Sequence, residues 1–305
     1  MLQRIRVFFA SRNVLEVETP LLSQASGTDP NLEFFSTIYE TPPNRQSLFL
    51  QTSPEFAMKR LLAAGSGSIF QICKAFRNGE AGRFHNPEFT MLEWYRVDFD
   101  LTQLMDEVES LFETLFDGQL STPMRVSYQA IFEKFTGLDA LNFSFDAYSA
   151  FAKREKLDDA IAICGNSHAL WLDFLFSFCV QPNLGQGGLC LIYGYPACQS
   201  SLARLNSENP LITERIEVFL NGVELGNGYH ELTDAAEQER RFNAEISIRQ
   251  QRELPVVAKD QRLVAALAAG LPDCSGIAIG LDRLLMLLSN SAAIDDVLSF
   301  PVHRA

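Results

Sequence analysis

Apolar residues recur at helical spacing near the start of the chain, where Ile5, Phe8 and Phe9 predict an amphipathic helix over residues 3–11. The same period returns at Leu101, Leu104, Val108, Leu111 and Leu115 and predicts a helix over 101–116. Between them the pattern changes: residues 69–77 and 89–96 read as strands flanking a loop that carries Gly79, Gly82 and Pro87. A segment rich in Phe and Ala, about 127–180, reads as a helical insert serving as scaffold. Short strands follow at 189–193, 214–220 and 223–227, then a charged helix over about 235–252 and a last strand and helix near the C-terminus. Strands joined by hairpins and separated by helices, without βαβ repeats, imply an antiparallel sheet flanked by helices in an α+β fold. Residues 1–305 are expected to form a single domain.

Composition narrows the field without choosing within it. With 305 residues, 47% of them hydrophobic, the chain can bury a substantial core. The 25 Lys and Arg residues against 38 Asp and Glu give a net charge of −13, which disfavours broad electrostatic attachment to nucleic acid. Six cysteines form no CxxC pair and no metal-like spacing with the four histidines, so a reducing cytoplasmic setting is expected. The most apolar stretch, 169–180, is interrupted by Asp173 and is too short for a membrane span, which needs roughly 20 residues. No membrane partner is expected.

Three local patterns suggest chemistry. Alternate side chains of a strand share a face, so Phe89, Met91, Glu93 and Tyr95 point one way while Thr90, Leu92, Trp94 and Arg96 point the other. Arg77 ends the preceding strand, where a planar fork of donors can bridge two anionic oxygens, and Arg283 falls in the first turn of the last helix, just after Gly280. A phosphate at that helix end would also meet free backbone N–H groups. The third pattern is Asn221-Gly222, which favours a two-residue type I′ turn pairing Leu220 with Val223 and Phe219 with Glu224. Glu217 and Glu224 then become diagonal cross-strand neighbours roughly 7 Å apart. Two carboxylates so placed repel unless a cation intervenes, and oxygen ligands beside phosphates suit Mg²⁺. A solvated acidic strand face is the ordinary alternative.

Three longer segments carry a family resemblance. Val14 to Leu22, with Glu16, Glu18, Thr19 and Pro20, resembles motif 1 of the class II aminoacyl-tRNA synthetases, the segment that builds their dimer. Phe76-Arg77-Asn78 running into His85-Asn86-Pro87-Glu88-Phe89-Thr90-Met91-Leu92-Glu93-Trp94-Tyr95-Arg96 resembles motif 2, and the segment around Gly276, Gly280, Asp282, Arg283 and Met286 resembles motif 3. Thr52-Ser53-Pro54-Glu55 and the run from Gly222 to Leu232 look like substrate-pocket segments of the lysyl subgroup. The resemblance spans nearly the whole chain and implies activation of a carboxylate by ATP as an acyl-adenylate. It implies that Arg77 holds the α-phosphate and the substrate carboxylate, that Arg283 holds the γ-phosphate, and that Phe89 stacks on adenine. Asn78, His85, Asn86, Leu225 and Gly280 complete the implied ATP site, and Glu217 and Glu224 the implied Mg²⁺ site. Glu55, Glu93 and Glu231, with Ser53, Tyr95, Asn227, Tyr229 and Ala278, are the implied amino-acid pocket. Three carboxylates in one pocket would select a substrate with more than one ammonium group, a diamino acid.

Within the class, the run from His85 to Tyr95, the early start of the catalytic segment and Ala278 resemble the synthetase-like ligases that attach a lysyl moiety to elongation factor P. The resemblance implies no anticodon-binding domain, a homodimer, and elongation factor P instead of tRNA as acceptor. Ala278 stands where lysyl-tRNA synthetases resembling this segment have glycine, and its methyl group would favour β-lysine, most simply the (R) isomer, over α-lysine. One position departs from motif 2: the acidic residue usual two places after the arginine is Gly79, with Glu80 next. A compact tRNA-charging enzyme, a free amino-acid ligase resembling asparagine synthetase A, and a non-catalytic regulatory paralogue remain open alternatives.

Overall fold

A computed structural model of the chain describes residues 1–255 and 257–305. The first hundred residues run α1 (Leu2–Ala10), β1 (Leu15–Glu16), β2 (Leu22–Ser23), β3 (Ser36–Thr41), β4 (Asn44–Leu50), α2 (Glu55–Ala63), β5 (Ile69–Phe76) and β6 (Glu88–Val97). Next come α3 (Leu101–Leu115), β7 (Ser121–Ser127), α4 (Tyr128–Thr136), α5 (Phe145–Arg154), α6 (Asp159–Cys164), α7 (His168–Leu175), β8 (Gly188–Tyr193), β9 (Arg215–Leu220) and β10 (Val223–His230). The chain ends with α8 (Ala235–Gln251), α9 (Gln261–Gly270), β11 (Cys274–Gly280) and α10 (Leu281–Leu288). Two compact units result: Met1–Asp100 together with Leu232–Ala305, and Leu101–Glu231. Among the described residues no helix is long and apolar enough to cross a membrane.

The first unit carries the strand order β1, β5, β6, β11 and a separate small sheet of order β2, β4, β3. The helix expected over 3–11 forms as α1, and its buried Ile5, Phe8 and Phe9 seat it on the sheet, with the Phe9 ring stacked 4.6 Å from Phe70 and 5.2 Å from Trp94. Strands β5, β6 and β11 pair antiparallel as expected, whereas the two-residue β1 joins β5 in parallel. The register sets Gln71 and Ala278 on either side of Glu93, Gly276 beside Tyr95 and Gly280 beside Met91. Opposed residues of a sheet share a face, so one face carries Glu93 and Tyr95 next to a row of very small residues on β11.

The second unit carries β10, β9, β8 and β7 in that order, again antiparallel except for the parallel pair β7/β8. The insert expected over 127–180 is mainly helical, as α4 to α7 and a π-helical turn at Phe176–Val180 joined by short non-helical links. Ser127, Ser144 and Ser167 cap α4, α5 and α7, each accepting a hydrogen bond from a first-turn N–H. Its aromatic residues, Tyr128, Phe132, Tyr148, Trp171 and Phe176, pack with Tyr195 and Phe219 into one buried cluster, which accounts for the Phe-rich composition. Asn221 and Gly222 both take positive φ, 51° and 75°, and Leu220 pairs with Val223 as the turn chemistry requires.

One buried charge in the first unit was not legible as such. Arg249 lies on the charged helix α8 and is 1% exposed. Its guanidinium donates to the carbonyls of Asp29 (2.8 Å), Leu32 (3.1 Å) and Pro255 (3.0 Å) and reaches Glu33 at 3.3 Å. The segment it holds passes the restraint on, because the Glu33 carbonyl accepts the Asn78 N–H at 2.9 Å, beside Arg77. Arg249→Met keeps the side-chain volume but strands those carbonyls, and is expected to cost about 3 kcal/mol. Urea unfolding checks this; a midpoint equal to that of the parent protein would show that the bonds contribute nothing net.

Candidate active site

Glu93 is a desolvated carboxylate, 2% exposed on the β6 face opposite Ala278. Tyr95, two residues along the same face, donates its hydroxyl to Glu93 Oε1 at 2.6 Å, and Ser53 Oγ donates to Oε2 at 2.8 Å. Ser53 also accepts the Glu55 N–H at 3.0 Å, which ties the carboxylate to the start of α2. Burial raises the Glu93 pKa to about 7 and the negative charge of Glu55 adds to the rise, while the bonds from Tyr95 and Ser53 and the charge of Lys59 pull it back. The strand-face reading therefore brings Ser53, Glu55, Glu93, Tyr95 and Ala278 together. Lys59 was missed: 2% exposed, it donates to Glu55 Oε1 at 2.6 Å. The signal was available as a Glu and a Lys four residues apart on a helix, although nothing in that spacing says the pair is buried.

Arg77, Asn78, His85, Asn86, Phe89, Gly280 and Arg283 gather at the other end of the same strands. Arg77 lies over the Phe89 ring, 5.1 Å from its centroid, and its main-chain N–H donates to the Pro87 carbonyl at 2.9 Å. The Arg77 Nε is buried without a hydrogen-bond partner among the described residues, a donor suited to an anionic oxygen. Glu80 answers the altered motif position: Gly79 takes φ +79°, and the Glu80 carboxylate comes within 3.7 Å of Arg77 Nη1. Arg283 is held by the Phe84 carbonyl (3.0 Å) and the His85 ring nitrogen (2.6 Å), so the motif 2 loop aims the motif 3 arginine. Asp282 accepts the Thr90 N–H at 2.6 Å and pins α10 to β6. Gly280 is the N-cap of α10. Asn86 spends its side chain on the backbone, donating to the Glu88 carbonyl at 2.6 Å and accepting from the Val302 N–H at 3.0 Å. Asn78 is exposed.

The remaining candidates lie on the β9/β10 hairpin of the second unit. Glu224 pairs with Phe219 as expected, and the register then slips by one residue at the buried Leu225, so that Asn227 stands opposite Glu217 and Tyr229 opposite Arg215. Without that bulge Asn227 and Tyr229 would turn to the other face; with it they join Glu217 and Glu224. Arg215, which the sequence reading passed over, donates to Glu217 at 2.6 Å and to Asn227 Oδ1 at 3.2 Å, and Asn227 donates to the Tyr229 hydroxyl at 3.0 Å. Burial raises the Glu217 pKa to about 7; Arg215 opposes the rise and Glu224 adds to it. Glu231 is 1% exposed, just beyond the strand end, and its main-chain carbonyl accepts from Arg204 at 3.0 Å. Among the described residues no cluster of three or more His, Cys, Asp or Glu could hold a metal ion. A cation at Glu217 and Glu224 would thus draw its other ligands from the substrate, the habit of phosphate-bound Mg²⁺.

Residues 1–304 match the model of the family described as tRNA synthetases class II (D, K and N). Proteins of Salmonella dublin, Salmonella paratyphi B and Salmonella heidelberg, each named "Elongation factor P--(R)-beta-lysine ligase", are 47% identical over 308 aligned residues, covering 100% of this chain and 94% of theirs. With motifs 2 and 3 joined on one sheet and a family match running the length of the chain, this protein belongs to the class II tRNA synthetase family.

Proposed function

We propose that this protein activates a lysine isomer, most simply (R)-β-lysine, with ATP and transfers it to a lysine side chain of elongation factor P. The observation that carries the substrate class is the buried Glu93 carboxylate, dressed by Ser53 and Tyr95 and facing Ala278, an anion whose burial is best compensated by an ammonium. The acceptor follows the full-length relatives, whose name describes ligation to elongation factor P. The enzyme is an ATP-dependent ligase.

In the first step the substrate carboxylate, already ionised, attacks the α-phosphorus of ATP and pyrophosphate leaves, giving the acyl-adenylate. No general base is needed; the barrier is the crowding of negative charge, which positioned cations relieve. Arg77 bridges the carboxylate and the α-phosphate with its fork of donors, Phe89 supports the adenine, and Arg283, oriented by His85 and the Phe84 carbonyl, takes the γ-phosphate. Glu217 and Glu224 would hold Mg²⁺, which would supply charge neutralisation at the phosphates. In the second step an unprotonated lysine amine of the acceptor attacks the acyl carbon, forming an amide and releasing AMP. The family match through both units supports one catalytic domain over residues 1–305, and motif 1 supports a homodimer working in the cytoplasm.

Incubating the protein with elongation factor P, unfractionated tRNA, Mg-ATP and either α-lysine or β-lysine, then measuring the intact mass of the factor, tests this reading. A lysyl-sized gain, larger with β-lysine, is expected; label on tRNA with an unmodified factor would make the protein a tRNA-charging enzyme. Ala278→Gly, which opens the space beside Glu93, is expected to raise kcat/KM for α-lysine relative to β-lysine by about tenfold or more. An unchanged ratio in pyrophosphate exchange would remove Ala278 as the selector.

A further inference from the structure

Glu55 and Glu93 share one hydroxyl. Ser53 Oγ accepts the Glu55 main-chain N–H and donates to the Glu93 carboxylate, so two acids are tethered within the same few residues of a water-poor pocket. Left alone, two negative charges so placed oppose one another in surroundings that screen them poorly. The chain places a cation there itself. Lys59, one helical turn after Glu55, is 2% exposed and its Nζ stands 2.6 Å from Glu55 Oε1. Burying a lysine is expensive, and its neighbours Met58 and Leu62 show that an apolar side chain would suit this face of α2.

We infer that Lys59 is a positioning residue of the amino-acid site: its ammonium pairs with the Glu55 carboxylate and fixes it in place, so that the amine of the substrate meets Glu93 in a pocket whose second acid already has a cationic partner. The inference rests on the proposed function, since it assigns Lys59 to the site that takes the lysine isomer. It also changes the charge count of that site. The acids of the first unit offer one uncompensated carboxylate, Glu93, not two.

The titratable groups around Glu93 are few. Glu55 and Lys59 reach it from α2, Tyr95 from its own strand and Cys73 from β5, while β11 contributes the uncharged Ala278. The burial-raised Cys73 thiol, at about 12, stays neutral near pH 7. Of the helices beside α2, α9 buries Leu263 and Leu267 and leaves Arg262 exposed, and Arg241 of α8 is taken by Glu237 at 2.8 Å. Glu55 raises the Glu93 pKa and Lys59 lowers it, so removing the lysine moves the carboxylate further toward its neutral form. The amine then loses its partner in the acidic part of the pH range first.

Amino-acid-dependent ATP–pyrophosphate exchange, measured from about pH 6 to 9 for K59M, K59R, E55Q and K59M/E55Q, tests this. K59M is expected to raise KM for the lysine isomer about tenfold at pH 7, leave KM for ATP within about twofold, and move the acid limb of kcat/KM up by about one pH unit. K59R is expected to restore both. In the E55Q background K59M should cost clearly less than in the parent, because most of the lysine's effect passes through the glutamate. The double variant leaves no unpaired charge on α2, so it stays informative if K59M alone fails to fold. An unchanged KM and acid limb in K59M, or an equal cost in both backgrounds, would overturn the inference. A parent protein that exchanges with no lysine isomer would instead remove the functional reading on which it rests.

Discussion

A carboxylate removed from water is the constraint around which the first unit is organised. Glu93 is almost fully buried, and a buried anion persists only where donors and cations compensate it. Each neighbour answers that demand in a different way. Tyr95 and Ser53 donate hydrogen bonds, Lys59 supplies charge through Glu55, and the small residues Gly276, Ala278 and Gly280 keep the adjacent strand from filling the space above the sheet. What they leave is an incomplete neutralisation, since burial and the charge of Glu55 still push the Glu93 pKa up. An incoming ammonium completes it.

The same sheet explains how distant motifs cooperate. Strand β6 carries Phe89 near one end and Glu93 and Tyr95 near the other, and β11 pairs with it along its length before turning into α10 at Gly280. The motif 3 arginine therefore emerges beside the motif 2 loop, where His85 and the Phe84 carbonyl fix its guanidinium. Behind that loop, Arg249 holds the segment whose Glu33 carbonyl meets Asn78. On the proposed reading, phosphate chemistry and amine recognition share the β6/β11 pair, which suits a reaction governed by position more than by proton transfer.

Much of this was legible in residue order. The alternation from Phe89 to Tyr95 gave the pocket face, and Asn221-Gly222 gave the register of β9 against β10 down to the pairing of Phe219 with Glu224. Beyond that pair the reading ran out, because a bulge at Leu225 has no local signature, yet it decides that Asn227 and Tyr229 share a face with Glu217. Buried cations were the other blind spot. Lys59, Arg215 and Arg249 look like solvated residues on charged segments, and only tertiary packing turns each into a partner for specific oxygens. The edge strands β1 and β7 pair in parallel for a similar reason: their partners are remote in sequence, and no turn between them reports direction.

The central claim is that the substrate's ammonium completes the neutralisation of the Glu93 carboxylate and releases the proton that burial otherwise favours there. Calorimetric titration with β-lysine at pH 7, in buffers of differing ionisation enthalpy, measures that proton directly. Net proton release on binding is expected, because burial raises the pKa of this carboxyl group and the incoming ammonium favours its ionised form. Its loss in Glu93→Gln would assign the proton to this residue. Tight binding of β-lysine with no net proton exchange would contradict the account, because the carboxylate would then be ionised before the substrate arrives.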